Sequence, residues 1–267
     1  MSSHALPPRQ KRRRLLIGLA VVAVVAGIVG LVATATVASG KTSIPSADET
    51  AATTARVMDA SDWYLTLPTG SKGKPDTVQP AKLADYSSKW FHATSDKDGI
   101  VFTANAGGVT TSGSSYPRTE LREMTGSKLA AWSNTQGTHT LTVRQAVTAL
   151  PAAKPDVVTA QIHDAEDDVL EVRLESGKLI AQYNDGRTDV TLDPRYNLGT
   201  PYDLTITASS GRIRVYYNGA KKLDIAKRGS GWYFKSGSYV QSNTSKGDKA
   251  SAVGVVVIYK IAAKHTS

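Results

Sequence analysis

Tyr233-Phe234-Lys235-Ser236-Gly237-Ser238-Tyr239-Val240-Gln241 alternates in character along its length. Successive side chains of a β-strand leave opposite faces. Read that way, Tyr233, Lys235, Tyr239 and Gln241 share one face, and Phe234 and Val240 take the other. Two segments upstream sort in the same manner. In Arg118-Thr119-Glu120-Leu121-Arg122-Glu123, the side chains of Arg118, Glu120 and Arg122 point one way and Leu121 the other. In Gln161-Ile162-His163, Gln161 and His163 lie opposite Ile162. Three strands with one apolar and one polar side imply a sheet that covers a core and displays Arg, Gln, His, Tyr and Lys on its open face.

The surrounding sequence extends this pattern. Short alternating runs recur at Trp63–Leu67, Thr138–Val147, Val157–His163, Val169–Leu174, Lys178–Tyr183, Leu204–Thr207, Arg212–Tyr217 and Ala252–Tyr259. Turn-forming Asn184-Asp185-Gly186, Ser210-Gly211 and Asn218-Gly219 separate several of them. No long segment keeps a 3.6-residue apolar period, and no internal repeat is evident. Many strands at this spacing predict an all-β sandwich or jelly roll over residues 57–267, in which one curved sheet would present a concave polar face.

The chain has 267 residues, 40% of them apolar, enough for a sizeable core. It has no cysteine, which removes disulfides, thiolate metal sites and a cysteine nucleophile. The formal charge is +9, but Arg9, Lys11, Arg12, Arg13 and Arg14 supply five of those charges, leaving +4 for residues 41–267. That mild excess predicts no nucleic-acid partner. Gathered in a cleft, it suits a polyanion.

Residues 1–39 read as an address. Lys11–Arg14 precede an uncharged run from Leu15 to Ala33. This is a basic region followed by an apolar one, as in a signal peptide, and it is about long enough to remain as a membrane anchor. The apolar stretch is expected to be helical. Either reading places the rest of the chain outside the cytoplasm, secreted or anchored, with contact to a membrane only through this segment. Residues 40–56, rich in Ser, Thr and Ala, read as a flexible tether.

In order and in separation, Arg-Thr-Glu-Leu-Arg, Gln-Ile-His and Tyr-Phe-Lys-x-Gly-x-Tyr-x-Gln resemble the three signature segments of the polysaccharide lyase family 7 alginate lyases. Asp62-Trp63-Tyr64-Leu65-Thr66-Leu67-Pro68 resembles the family's first strand, and the likeness spans roughly residues 57–263. Ser236 stands where Ala is usual and Val240 where Asn is usual. Both fall on the face opposite Tyr239.

The resemblance implies a jelly-roll β-sandwich whose open cleft lies on a concave catalytic sheet, and β-elimination on a uronate polymer. Removing the C5 proton builds charge onto the adjacent carboxylate, so donors must clamp that group. The resemblance gives this role to Arg118 and Gln161, whose planar fork and amide N–H suit a carboxylate. His163 and Tyr239 fit the base that takes the proton and the acid that protonates the leaving oxygen, and in some relatives Tyr serves as both. Arg122, Lys235, Gln241 and Tyr233 are candidate substrate-binding residues, and Glu120 is expected to hold Arg118 in place by ion pairing with Arg122. Trp63, Trp90 and Trp132 read as core. No cofactor and no metal is expected, and the expected state is a monomer.

Ile162 in the middle of Gln-x-His is associated in the family with acceptance of guluronate-containing stretches, so an endolytic, guluronate-accepting alginate lyase is expected. Two other readings compete. A non-catalytic carbohydrate-binding module shares the sandwich but needs no base and acid. Glu166, Asp168 and Glu171 match the Glu-x-Asp-x-x-Glu pattern of some jelly-roll glycoside hydrolases, which need two carboxyl groups roughly 5–5.5 Å apart for a retaining mechanism.

Overall fold

A computed structural model of the chain describes residues 44–267. Its strands are β1 (Trp63–Ser71), β2 (Lys74–Val78), β3 (Phe91–Ala93), β4 (Ile100–Asn105), β5 (Arg118–Thr125), β6 (Lys128–Leu129), β7 (Thr138–Ala149) and β8 (Val157–His163). They continue with β9 (Asp168–Glu175), β10 (Lys178–Tyr183), β11 (Thr188–Asp193), β12 (Tyr202–Ser209), β13 (Arg212–Tyr217), β14 (Ala220–Ala226), β15 (Tyr233–Val240) and β16 (Val253–Thr266). Two antiparallel sheets result. One has nine strands in the order β11-β10-β9-β8-β15-β5-β1-β2, with β6 paired to β5. The other has seven, in the order β14-β13-β12-β7-β16-β4-β3. Strands distant in sequence lie side by side in both, as the jelly-roll expectation requires.

Local chemistry sets the hairpins. Asn218-Gly219, Ser210-Gly211 and Ser176-Gly177 each have two consecutive residues at positive φ, the backbone of a tight turn that matches strand twist. The Ser176-Gly177 turn joins β9 to β10 and carries the same signature as the two recognised in sequence.

The core lies between the sheets. Leu65, Leu121, Ile162 and Phe234 project into it from the larger sheet, and Phe102, Leu141, Ile206 and Ile258 from the smaller, all fully buried. Burial along β4 alternates, whereas β5 and β8 are buried almost throughout. Their second face is not solvated surface but the floor of a cleft. Trp63 is buried, and Trp90 and Trp132 pack on the core from its edge.

The tether expected over residues 40–56 is corrected from Ala47 onward. Ala47–Val57 form a helix, α1, started by a capping box between Ser46 and Glu49. Thr50, Thr53, Thr54 and Val57 are its buried face. Thr50 Oγ1 accepts from Ala93 N of β3 at 3.2 Å, and Lys260 Nζ of β16 donates to Arg56 O at 2.8 Å. The hydroxyls of Thr50 and Thr53 meet backbone groups, so a composition that looks tether-like is a docked helix. A second short helix, α2, is Pro80–Leu83. Among the described residues no helix is long and apolar enough to cross a membrane. The address expected over residues 1–39, with its apolar helix, lies outside the described residues.

Candidate active site

β15 is the axis of the site. On one side it pairs with β5, setting Tyr239 opposite Arg118, Gly237 opposite Glu120 and Lys235 opposite Arg122. On the other it pairs with β8, setting Lys235 opposite Gln161 and Tyr233 opposite His163. Directly opposed side chains on one face have Cβ atoms about 4.5–5.5 Å apart, so the three sequence segments merge into one polar surface. The pairing with β8 slips by one residue between Ser236 and Tyr239. Gly237 sits in that irregularity with φ +149°, and a Cβ there would stand 2.4 Å from Thr119 O. Only glycine lets β5 approach so closely.

Glu120 is the hub. Its Oε2 accepts from Arg118 Nη1 at 3.0 Å and from Lys235 Nζ at 2.7 Å, and its Oε1 accepts from Gln161 Nε2. The carboxylate side chain is 1% exposed. Burial alone pushes such an acid up, but Lys235 and Arg118 outweigh it and hold Glu120 below the ordinary carboxylate range. Lys235 is brought down to about 8, by burial and then by the neighbouring Arg118, with Glu120 opposing. The Glu120–Arg122 ion pair expected from sequence does not form. Arg122 instead donates from Nη1 to Glu123 O at 2.6 Å and from Nη2 to Ala130 O at 3.3 Å, and its guanidinium lies 3.8 Å from the Tyr233 ring centroid.

His163 is held in one tautomer. Its Nδ1 lies 2.6 Å from Asp164 O and 3.2 Å from Tyr233 Oη. A carbonyl only accepts, so Nδ1 carries the proton and Nε2 keeps its lone pair. Burial, then the nearby Lys235 charge, lowers the imidazole below its ordinary value. The ring is therefore neutral at neutral pH and competent as a base. The Asp164–Asp167 turn that presents the carbonyl is itself fixed: Asp164 N donates to Asp167 O at 3.0 Å, and Asp164 Oδ1 accepts from the amides of Glu166 and Asp167. Tyr239 sits across the cleft floor. Its hydroxyl is 2.9 Å from Ser114 Oγ, and the Arg118 guanidinium stacks 3.6 Å from its ring centroid.

These groups line one cleft of about 390 Å³. Arg118, Arg122, Gln161, His163, Tyr233, Lys235 and Tyr239 all reach it. Gln241 does not line it. It is buried beyond Tyr239, its backbone N–H donating to Asp156 O at 3.0 Å, while among the described residues its side-chain Nε2 has no partner. The residues sequence reasoning passed over are Tyr64 and Thr66 of β1 and the Thr111–Ser114 loop, which form the cleft's other wall. Tyr64 and Thr66 carried a signal, since they lie on one face of the family-like first strand Asp62–Pro68, whereas the Thr111–Ser114 loop carried none beyond its nearness to Arg118. All three of the hydrolase-like set line the cleft: Asp168 and Glu171 from β9, and Glu166 from the exposed turn before it. Among the described residues no three His, Asp or Glu side chains converge as metal ligands. Ser236 and Val240 both point into the core. Ser236 Oγ donates to Thr159 O at 2.9 Å, and Val240 stands against Gly254, so neither departure touches the cleft.

Several solved structures share this architecture. The alginate lyase AlgAT5 of polysaccharide lyase family 7 is 46% identical, over 79% of this chain and 97% of that one, with a TM-score of 0.76. An alginate lyase from Corynebacterium sp. is 42% identical, over 79% and 96%, with the same TM-score. Alginate lyase A1-II′, in a variant form complexed with a substrate (GGMG), is 28% identical over 78% and 94%, with a TM-score of 0.68. No curated protein matches the chain. The family profile described as alginate lyase matches residues 58–265. With that match over most of its length, and with relatives of 46% and 42% identity covered almost whole, this chain belongs to the family 7 alginate lyases.

Proposed function

We propose that this alginate lyase cuts its polymer by β-elimination, with Arg118 and Gln161 clamping the uronate carboxylate, His163 as base and Tyr239 as acid. His163 Nε2 takes the C5 proton. The electron pair of that bond moves toward the carboxylate and then into a C4–C5 double bond as the C4–oxygen bond breaks. Tyr239 Oη delivers its proton to the departing oxygen, and proton exchange with water restores both groups. The products are a shortened chain and an unsaturated uronate end. The carrying observation is the neutral His163, its Nδ1 tied to Asp164 O, in the same cleft as Tyr239 and the Glu120-anchored donors. Elimination needs donors preorganised around developing charge, and each is typically worth roughly 2.7–4 kcal/mol.

The glycoside hydrolase alternative is not favoured. The family profile that matches the chain is that of alginate lyases, and the related solved structures are alginate lyases. A binding module has no need of a fixed base tautomer. The test is incubation with alginate while following the ultraviolet absorbance of unsaturated ends. Reducing ends without that absorbance would establish hydrolysis instead.

The finer reading is an endolytic enzyme that accepts guluronate-containing stretches. Its support is Ile162, buried beneath Gln161 and His163, which acts on specificity only by setting the height of the strand that carries them. Early products of mixed size, and faster initial rates on guluronate-rich than on mannuronate-rich blocks, are the expected outcomes. The chain is read as a monomer, secreted or membrane-anchored through residues 1–39, with no nucleic-acid partner. The support for export is the basic cluster followed by an uncharged run. A reporter fused to residues 1–40 should leave the cytoplasm.

A further inference from the structure

The cleft face carries a second buried carboxyl group, held quite differently from Glu120. Glu171 of β9 stands across the ladder from Gln161 and lines the cleft, its side chain 8% exposed. Among the described residues its one cationic contact is Arg173 Nη1, 3.2 Å from Oε2. That cation is shared: Arg173 also meets Glu175 Oε2 at 3.1 Å and Gln182 Oε1 at 2.9 Å. Around Glu171 stand Asp168 and Arg173 on its own strand, Gln161 and His163 on β8, Lys235 on β15, Glu120 on β5 and Gln182 on β10. Lys235 is already committed to Glu120. Burial first, then Asp168, pushes the Glu171 carboxyl up to about 7. With its proton, Glu171 is a neutral hydrogen-bond donor beside the amide that clamps a uronate. Without it, a negative charge with only a shared counter-ion faces a polyanion.

We propose that Glu171 is a further substrate-binding residue, whose ionisation sets how tightly the cleft holds a uronate polymer. The identity of the ligand rests on the lyase reading above. The polymer binds the protonated form better, so binding takes up a proton and weakens as pH rises through the neutral range.

The test is equilibrium binding of alginate by calorimetry at pH 6 and pH 8 and fixed ionic strength, with the slow Tyr239→Phe protein as parent. The parent Kd should rise about fivefold between the two. Adding Glu171→Gln, which keeps the shape and removes the charge, should hold Kd at the pH 6 value throughout. Glu171→Ala should be equally flat, and thermal melts establish that both are folded. Three results would overturn the proposal: a pH-insensitive parent, a parallel rise in the Gln variant (the titration then belongs to another group such as Lys235), or weaker binding by the Gln variant at both pH values. Failure of the lyase reading shows separately, as absence of unsaturated ends from the native protein.

Discussion

Two carboxylates in this molecule each gather several donors, and they do opposite things. Asp224 on β14 meets Arg212 at 2.7 Å, Lys221 at 3.2 Å and Arg214 at 3.4 Å, with side chains a quarter to a half exposed. Glu120 on β5 meets Arg118, Lys235 and Gln161, all nearly buried. The contacts are alike in kind. The difference is water. In the exposed cluster solvent screens every pair and replaces any lost partner. In the buried one each charge has been stripped of water, so its only compensation is the others. Such an arrangement is weak evidence for stability and strong evidence for a surface organised to meet charge that appears during a reaction.

The largest expected effects test whether the buried cluster is a reaction site at all. His163→Ala and Tyr239→Phe should each lower turnover on alginate by about 10²–10⁴-fold, with circular dichroism unchanged. Near-native turnover in both would break the comparison, because the buried charges would then have no chemistry to serve. Arg118→Ala or Gln161→Ala should cost about 10²–10³-fold in kcat with a smaller change in KM. A raised KM at unchanged kcat would show that they bind substrate without stabilising the transition state.

Glu120→Ala is the direct probe of the hub. It strands Arg118, Lys235 and Gln161 together, and should destabilise the fold by about 3–5 kcal/mol in denaturant titration while also reducing turnover. Asp224→Asn is its control and should leave both turnover and melting temperature at native values. Equal behaviour of the two variants would erase the distinction drawn from burial. Between them in size lies a pH effect. Because His163 is lowered from its ordinary 6.5, the imidazole sheds its proton below that pH. The acid limb of kcat/KM should therefore fall below 6.5. A limb centred above 6.5 would mean that another group is the base.

Much of this contrast was legible in the sequence. Alternation in Tyr233–Gln241, Arg118–Glu123 and Gln161–His163 placed seven of eight candidate site residues on the right face, because a strand's period of two is exact and a buried opposite face pins the register. Gln241 lies past the cleft because the floor ends at Tyr239, a matter of where neighbouring strands stop. Glu120's true partners were hidden because strand pairing, not sequence distance, brings Lys235 and Gln161 beside it. The same holds for Ser114, which reaches Tyr239 from a loop with no periodicity. α1 was missed although Ser46-x-x-Glu49 is a readable capping box. Threonine's modest helix propensity hid a face that tertiary contact stabilises.

That helix also decides where the catalytic domain may be cut free. A truncated chain beginning at Val57, the boundary that composition suggests, would discard the residues that cover β3, leave the Ala93 amide without its acceptor and release Lys260 from Arg56. A chain beginning at Ile44 retains the capping box and every one of those contacts. The shorter version should express as a less soluble, lower-melting protein even though every cleft residue is present. The boundary of this enzyme is set by what α1 shields on the side away from the substrate.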